Sequence, residues 1–283
     1  MILITGVNGQ LGFDVVKELN RRNIECLGID RAELDITDGN AVRNYISELK
    51  PECVIHCAAY TAVDKAEDEE EICTKVNVYG TENIARACKE IDAKMIYIST
   101  DYVFDGKGDT PFEVDGNIEP HSVYGKTKYE GELKVKEVLN KYFIVRISWV
   151  FGVNGNNFIK TMLRLGKEKE SLNVVCDQIG SPTYTFDLAP ILCDMAVSEK
   201  YGVYHATNEG FCSWAEFATE IMKKANLDCK INPIPAIEYP AQAERPFNSR
   251  LSKKSITDNG FVLLPSWKNA LDRFLEELFR NCR

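Results

Sequence analysis

No stretch of this sequence approaches the roughly 20 consecutive apolar residues that a membrane-spanning helix needs. The opening MILITG has no basic segment and meets a glycine at once, so the expectation is a cytoplasmic chain with no leader and no membrane partner. Positive charge is also short: 34 Lys and Arg stand against 43 Asp and Glu, a net charge of −9. That argues against nucleic acid or an anionic membrane as main partner, while leaving room for a local basic pocket. Histidine is scarce, with His56, His121 and His205 scattered along the chain. His56 sits in the apolar run CVIHCAA and reads as a satisfied core residue. Cysteine is plentiful at ten, but no CxxC occurs. The 283 residues also exceed the size of a disulfide-framework domain, so buried reduced thiols are expected and no metal ligand set is assigned. There is no internal repeat, low-complexity tract or flexible linker.

What the chain does have is alternation. MILIT, IECLGID, CVIHCAA, KMIYIS and YFIVRISWVFG are short apolar runs. Between them lie helical patterns: QLGFDVVKELNRRN, DGNAVRNYISELK (stopped by Pro51), Thr61 to Lys89, and Ser122 to Asn140. This order predicts an α/β fold of Rossmann type, a doubly wound parallel sheet with right-handed crossovers. The second half is less regular. It holds helices at NNFIKTMLRLGKEK, FDLAPILCDMAVSE and SWAEFATEIMKKAN, the last with the serine and glutamate of a capping box. It also holds strands at LNVVCDQIGSPTY and GVYHATNEG, and an amphipathic helix over roughly Ser266 to Phe279. CKINPIPAIEYPAQAERPFNSRL, with four prolines, reads as a long loop. The expected division is a dinucleotide-binding domain over 1–150 and a smaller substrate-binding lobe over 151–283, partly interleaved with the Rossmann core, with a cleft between them.

Directly after the first strand, TGVNGQLG supplies Gly6, Gly9 and Gly12 and opens a helix. A strand–GxxGxxG–helix context suits a dinucleotide. Gly6 permits the tight turn, and Gly9 lets backbone approach a pyrophosphate that rests on unpaired helix N–H groups. Gly12 lets helix and strand pack closely. Asn8, Gln10 and Leu11 belong to the same loop. Asp30 ends the second strand, where a carboxylate accepts ribose hydroxyls and repels a 2′-phosphate. Arg31 next to it can bind that phosphate or stack on adenine, so NADH and NADPH both stay open. Asp35 and Ile36 are placed to meet the adenine. Ala58, Ala59 and Tyr60, after the third strand, lie where the chain passes over the cofactor.

The fourth run ends on polar residues, Ser99, Thr100 and Asp101, where open α/β sheets build their sites. SVYGKTKYEGEL places Tyr124 and Lys128 one turn apart on a helical face. A phenol ordinarily titrates near pH 10, and a nearby ammonium lowers that value toward a useful range. The first turn of this helix can face the end of the fourth strand, so Thr100, Tyr124 and Lys128 form a candidate catalytic triad.

The segments ITGVNGQLG, AAYTAVDKAE, VNVYGTENIA, STDYVFDG, YGKTKYEGE, RISWVFG and DQIGSPTY together resemble the extended short-chain dehydrogenases/reductases. More narrowly, they resemble the dTDP-4-dehydrorhamnose reductase family, over nearly the whole chain. The resemblance implies reduction of the 4-keto group of dTDP-6-deoxy-L-lyxo-4-hexulose to dTDP-L-rhamnose by a nicotinamide cofactor. It implies that Thr100 bonds the keto oxygen and Tyr124 donates the proton. Lys128 would bind the nicotinamide ribose and lower the tyrosine pKa. Ser99 falls on the cofactor side, and Asn77 matches a buried asparagine that steadies the active-site helix. Thr61, Val63, Asp101, Tyr102 and Trp149 fall where the family lines its sugar pocket, and Gln178, Thr183 and Arg245 toward the nucleotide end. Related dehydratases carry Asp-Glu after the threonine. Here Tyr102 follows Asp101, which favours simple reduction. Some members form dimers around magnesium held by carboxylates. Asp14 stands at one such position, on a helix face read as exposed, and the partner carboxylates are not found, so Mg2+ and a homodimer stay open. Two rival readings remain: a reductase of another nucleotide 4-keto-deoxysugar, and a non-catalytic regulatory subunit of the methionine adenosyltransferase type.

Overall fold

The computed structural model describes residues 1–280. In the first half, strands β1 (Ile2–Thr5), β2 (Cys26–Ile29), β3 (Cys53–His56), β4 (Lys94–Thr100) and β5 (Tyr142–Ile147) alternate with helices. These are α1 (Gln10–Arg21), α2 (Gly39–Leu49), α3 (Val63–Ala66), α4 (Glu70–Thr74), α5 (Thr81–Glu90) and α6 (Val123–Val138). The stretch expected to be largely helical from Thr61 to Lys89 is made of separate segments, with Lys75–Gly80 forming a π-helical turn between α4 and α5. Such turns are rare and concentrate at functional sites. Two-residue strands β6 (Val150–Phe151), β8 (Ile179–Gly180), β9 (Thr183–Tyr184), β11 (Cys212–Ser213) and β13 (Asn248–Ser249) mark the second half. So do β7 (Ser171–Val175), β10 (Gly202–His205) and β12 (Lys230–Ile234). The helices there are α7 (Phe158–Glu168), α8 (Thr185–Ala196), α9 (Trp214–Lys224), α10 (Lys254–Asp258) and α11 (Trp267–Arg280).

The main sheet runs β10-β5-β4-β3-β1-β2, and each of its pairings is parallel. Its inner strands β1, β3, β4 and β5 are buried on both faces, which is why they read as unbroken apolar runs. Ile2 and Ile4 join a core with Val15 and Leu19 of α1 and Leu188 and Leu192 of α8. Leu3 points the other way, to a core with Val42, Ile84, Met95 and Val135. Full burial of each such side chain contributes about 1.5–3 kcal/mol. The sixth strand, β10, and helix α8 both come from the second half, so the two halves interleave in one sheet sandwich. His56 lies in this core, its Nδ1 paired with the Thr5 hydroxyl at 2.8 Å.

The remaining lobe has its own core, in which Phe151, Phe217 and Phe274 pack with Trp267 and Leu271. Its elements follow local rules. The Ser213 hydroxyl accepts from the Glu216 N–H at 3.0 Å, and the Glu216 carboxylate accepts from the Ser213 N–H at 2.7 Å, completing the capping box. The proline-rich segment departs from its reading as a loop. Lys230–Ile234 is a strand paired in parallel with β7 in a two-stranded sheet. Pro233 is tolerated there because β12 is an edge strand, with no partner on its other side to need an N–H. The nine cysteines among the described residues are unpaired, and Cys282 lies outside them.

Candidate active site

The sheet order puts β1 between β2 and β3, so the chain leaves β1 in opposite directions across the sheet. Open α/β sheets bind ligands at that switch point. A cleft of about 890 Å³ opens there, lined by the residues that follow β1, β2, β3, β4 and β5. Its floor is the glycine loop. Gly6 has φ +72°, and a Cβ on it would lie 2.7 Å from the Ala58 nitrogen. A Cβ on Gly12 would come within 2.4 Å of the Gly6 carbonyl oxygen. No side chain caps α1, whose N-cap is Gly9, so the first helical N–H groups are left to an anion. These features fit the pyrophosphate of a dinucleotide.

At the adenosine end, Asp30 accepts from its neighbour's N–H at Arg31 (2.6 Å) and from the Asn8 N–H (3.3 Å). The Arg31 side chain is 86% exposed and only loosely paired with Asp35 at 3.7 Å. The N–H and hydroxyl of Thr37 bond Asp35 and hold its carboxyl below the usual range. Ile36 is buried against Gly80.

The opposite wall is more buried. The Thr100 hydroxyl donates to Asp101 Oδ1 at 3.0 Å and accepts from the Tyr102 N–H at 3.2 Å. The Ser122 hydroxyl caps α6, accepting from the Gly125 N–H at 3.1 Å. This start sets Tyr124 in the first turn and Lys128 one turn on, and both line the cleft with Thr100. The rings of Tyr124 and Tyr102 meet edge to face, centroids 5.4 Å apart. Lys128 is 2% exposed, with Nζ 4.1 Å from the centre of the Tyr97 ring.

Burial dominates the electrostatics here. It pushes Tyr124 above the usual phenol range, and contact with Thr100 offsets only part of that rise. The expected lowering by Lys128 is absent, because the lysine itself loses solvation and is drawn down to about 7. Asp101 is pushed up to about 6 by burial, a rise that the nearby Ser249 and Thr100 hydroxyls only partly offset, and its Oδ2 lacks a well-formed hydrogen bond. Trp149 holds φ +49°, a left-handed conformation rare for a tryptophan, and stacks on Trp214 at 3.6 Å. Strain of this kind persists where surrounding packing fixes it.

The cleft gathers Gly6, Asn8, Gly9, Gln10, Leu11, Gly12, Asp30, Arg31, Asp35, Ile36, Ala58, Ala59, Tyr60 and Ser99 beside the triad. Thr61, Val63, Asp101, Tyr102 and Trp149 line it too. Five other residues lie elsewhere. Asn77 sits behind the wall on the π-helical turn, where its amide pairs with both backbone groups of Tyr60 and donates to the Thr127 hydroxyl. Gln178 is buried outside the cleft. Thr183 is fully buried and donates to the Ser148 carbonyl at 2.6 Å. Arg245 forms a bidentate pair with Asp64 at 2.8 and 2.7 Å and lines a separate cavity of about 190 Å³. Asp14 is 2% exposed and accepts from the Thr185 hydroxyl at 2.5 Å. Its carboxylate therefore faces the α1–α8 contact, which corrects the expectation that the helix face is exposed there.

The chain matches the RmlD substrate binding domain family over residues 1–280. It belongs to this family. It is 42% identical to the dTDP-4-dehydrorhamnose reductase of Aggregatibacter actinomycetemcomitans, covering 95% of this chain and 96% of that protein. Among solved structures, a dTDP-4-dehydrorhamnose reductase from Clostridium acetobutylicum superimposes with a TM-score of 0.96 at 43% identity, covering 98% of this chain and 99% of the other. The Bacillus anthracis dTDP-4-dehydrorhamnose reductase in complex with NADP gives 0.95 at 45% identity, covering 98% of each chain.

Several cleft residues carry no local signal in the sequence. Ile72 reaches the cleft from α4, and Lys75 and Val76 from the π-helical turn that follows it. Asn154 donates to the Asn8 carbonyl at 2.8 Å, and Gln10 accepts from the Gly152 N–H at 2.9 Å. These bonds tie the glycine loop to a segment some 140 residues away, a pairing that only the fold reveals.

Proposed function

We propose that this chain reduces the 4-keto group of dTDP-6-deoxy-L-lyxo-4-hexulose to dTDP-L-rhamnose. A reduced nicotinamide supplies the hydride. The observation that carries the reading is the corner of Thr100, Tyr124 and Lys128 in one cleft with an uncapped glycine loop, in a family whose relatives bear that reductase name.

On this reading the Thr100 hydroxyl turns from Asp101 to the keto oxygen and fixes its place. The Tyr124 phenol gives its proton to the oxygen as negative charge develops there. A phenol held above its usual range by burial stays protonated at neutral pH, which suits a donor in the reducing direction. The Lys128 ammonium stabilises the phenolate left behind and bonds the nicotinamide ribose. Asp101, with Thr61, Val63, Tyr102 and Trp149, holds the sugar. Residues 1–150, completed by α8 and β10, hold the dinucleotide, and the rest of the second half covers the sugar. Gln178 and Thr183 brace that lobe rather than touch the substrate.

Both NADH and NADPH serve. The Asp30 carboxylate already receives two N–H groups, which softens its repulsion of a 2′-phosphate, and the free Arg31 guanidinium can grip one. The Bacillus anthracis relative was solved with NADP.

A coupled assay tests the proposal. A dehydratase and a 3,5-epimerase generate the keto sugar, and loss of reduced-nicotinamide absorbance is followed with each cofactor. Oxidation that requires the epimerase and yields dTDP-rhamnose is the expected result. Cofactor binding without turnover would favour the regulatory reading. Turnover without the epimerase would favour another keto sugar.

A further inference from the structure

Directly behind the catalytic corner lies a buried ion pair. Glu132 of α6 is 0% exposed and Arg146 of β5 is 1% exposed. They meet side by side, Nε to Oε1 at 2.8 Å and Nη2 to Oε2 at 2.7 Å. The Ser99 hydroxyl, next to Thr100 at the end of β4, donates to the same Oε1 at 2.6 Å. Arg146 is secured in turn, donating to the Val114 carbonyl at 2.9 Å and lying over the Phe104 ring.

A buried pair of charges is not an efficient stabiliser, since apolar residues of like volume often serve as well. Its position suggests another use. Glu132 stands one helical turn beyond Lys128, so a single carboxylate joins the helix bearing Tyr124 and Lys128 to the strand end bearing Thr100. The approach of helix and strand is close. The Tyr97 hydroxyl donates to the Lys128 carbonyl at 3.1 Å, and a Cβ on Gly131 would lie 2.4 Å from the Tyr97 oxygen.

We propose that Glu132, clamped by Arg146 and Ser99, is a positioning residue that locks α6 against the end of β4 and supplies the counter-charge for Lys128. This rests on the reduction reading for its catalytic consequence, though not for the electrostatic one. The groups facing Lys128 are Tyr124 and Glu132 on its own helix, His56 and Cys57 at the end of β3, Cys73 of α4 and Tyr97 of β4. His56 is held neutral by burial, with its pKa drawn down to about 3, and burial raises Cys57 to about 12. Glu132, paired with Arg146 and with Lys136 Nζ 3.8 Å from its Oε2, raises the Lys128 pKa against the larger effect of burial.

The test is the titration of Lys128 in the full chain without ligand, read by NMR of side-chain 15N-labelled lysine and assigned with Lys128→Met. Glu132→Gln alone strands the Arg146 guanidinium and can unfold the chain, so Glu132→Gln/Arg146→Met is made beside it. The double variant takes away a cation with the anion, but it is Glu132 that acts on Lys128, so the lysine midpoint should fall by about 0.5–1 unit. The high-pH decline of kcat should move down by the same amount, up to about tenfold less turnover at pH 8. Glu132→Asp, which keeps the charge but shortens the clamp, should lower kcat without that fall in midpoint. A folded double variant with unmoved midpoint overturns the proposal. Lost kcat with an unmoved midpoint does so equally, since it leaves only a structural role. If the wild-type chain reduced no keto sugar, the reduction reading would fall while the titration still decided the counter-charge.

Discussion

The two walls of the cleft are built by different physics. On the cofactor side, recognition rests on backbone: glycines that admit close approach, an uncapped helix start, and Asp30 and Arg31 near the surface. On the catalytic side it rests on buried ionisable groups, with Thr100, Asp101 and Lys128 each at most 4% exposed. On the proposed reading the first wall tolerates water because its hydrogen bonds would go to a charged ligand. The second needs water excluded, because burial is what moves Lys128 to about 7 and Asp101 to about 6. On the proposed reading, dinucleotide binding is a property of local geometry, and proton transfer a property of distant packing.

Changes on the catalytic wall should separate chemistry from binding. Tyr124→Phe should cut kcat by about 10²–10⁴-fold, as expected for a lost general acid, with cofactor affinity nearly unchanged by titration calorimetry. Unchanged turnover would remove Tyr124 from the mechanism. On the cofactor wall the reverse split is expected. Gly12→Ala forces a methyl group into the Gly6 carbonyl, so cofactor binding should collapse and stability fall by about 1–3 kcal/mol or more, as for overpacking against a backbone that cannot give way; denaturant unfolding reads the second effect.

Asp101→Asn should set the two properties of the catalytic wall against each other. Its folded pKa, near 6, lies about two units above the unfolded value, so the ionised carboxylate destabilises the fold above pH 6 by up to about 3 kcal/mol. The variant should therefore be more stable at pH 7–8. The gain should shrink as pH falls through 6 and vanish near pH 4, while sugar affinity drops. Unfolding curves across that range that stay parallel would break the account. The smallest effect belongs to Asp30→Ala, expected to weaken NADH several-fold more than NADPH, on the order of one lost hydrogen bond to a charged group. Equal losses would mean that Asp30 does not read the ribose.

The legibility of the chain follows the same division. Strands β1, β3, β4 and β5 were readable because strands buried on both faces need unbroken apolar runs. The capping box at Ser213 was readable because it is a local hydrogen-bond pattern. The strand at Lys230–Ile234 was hidden by its prolines, which an edge position excuses and a sequence does not reveal. The partners of Thr183 and Arg245, the Ser148 carbonyl and Asp64, are supplied by packing and leave no local mark in the sequence.

By itself the sequence determined the parallel α/β class, the glycine turn after β1 and the one-turn spacing of Tyr124 and Lys128. Each depends on residues within a few positions of one another, where steric and hydrogen-bonding rules act directly. The tertiary structure decided that β10 and α8 return to complete the Rossmann sandwich. It also decided that Asp14 turns inward to Thr185, and that burial outweighs the neighbouring ammonium in setting the state of Tyr124. Desolvation depends on everything that surrounds a group, and what surrounds Tyr124 and Lys128 comes from β3, β4 and α4 as well as their own helix.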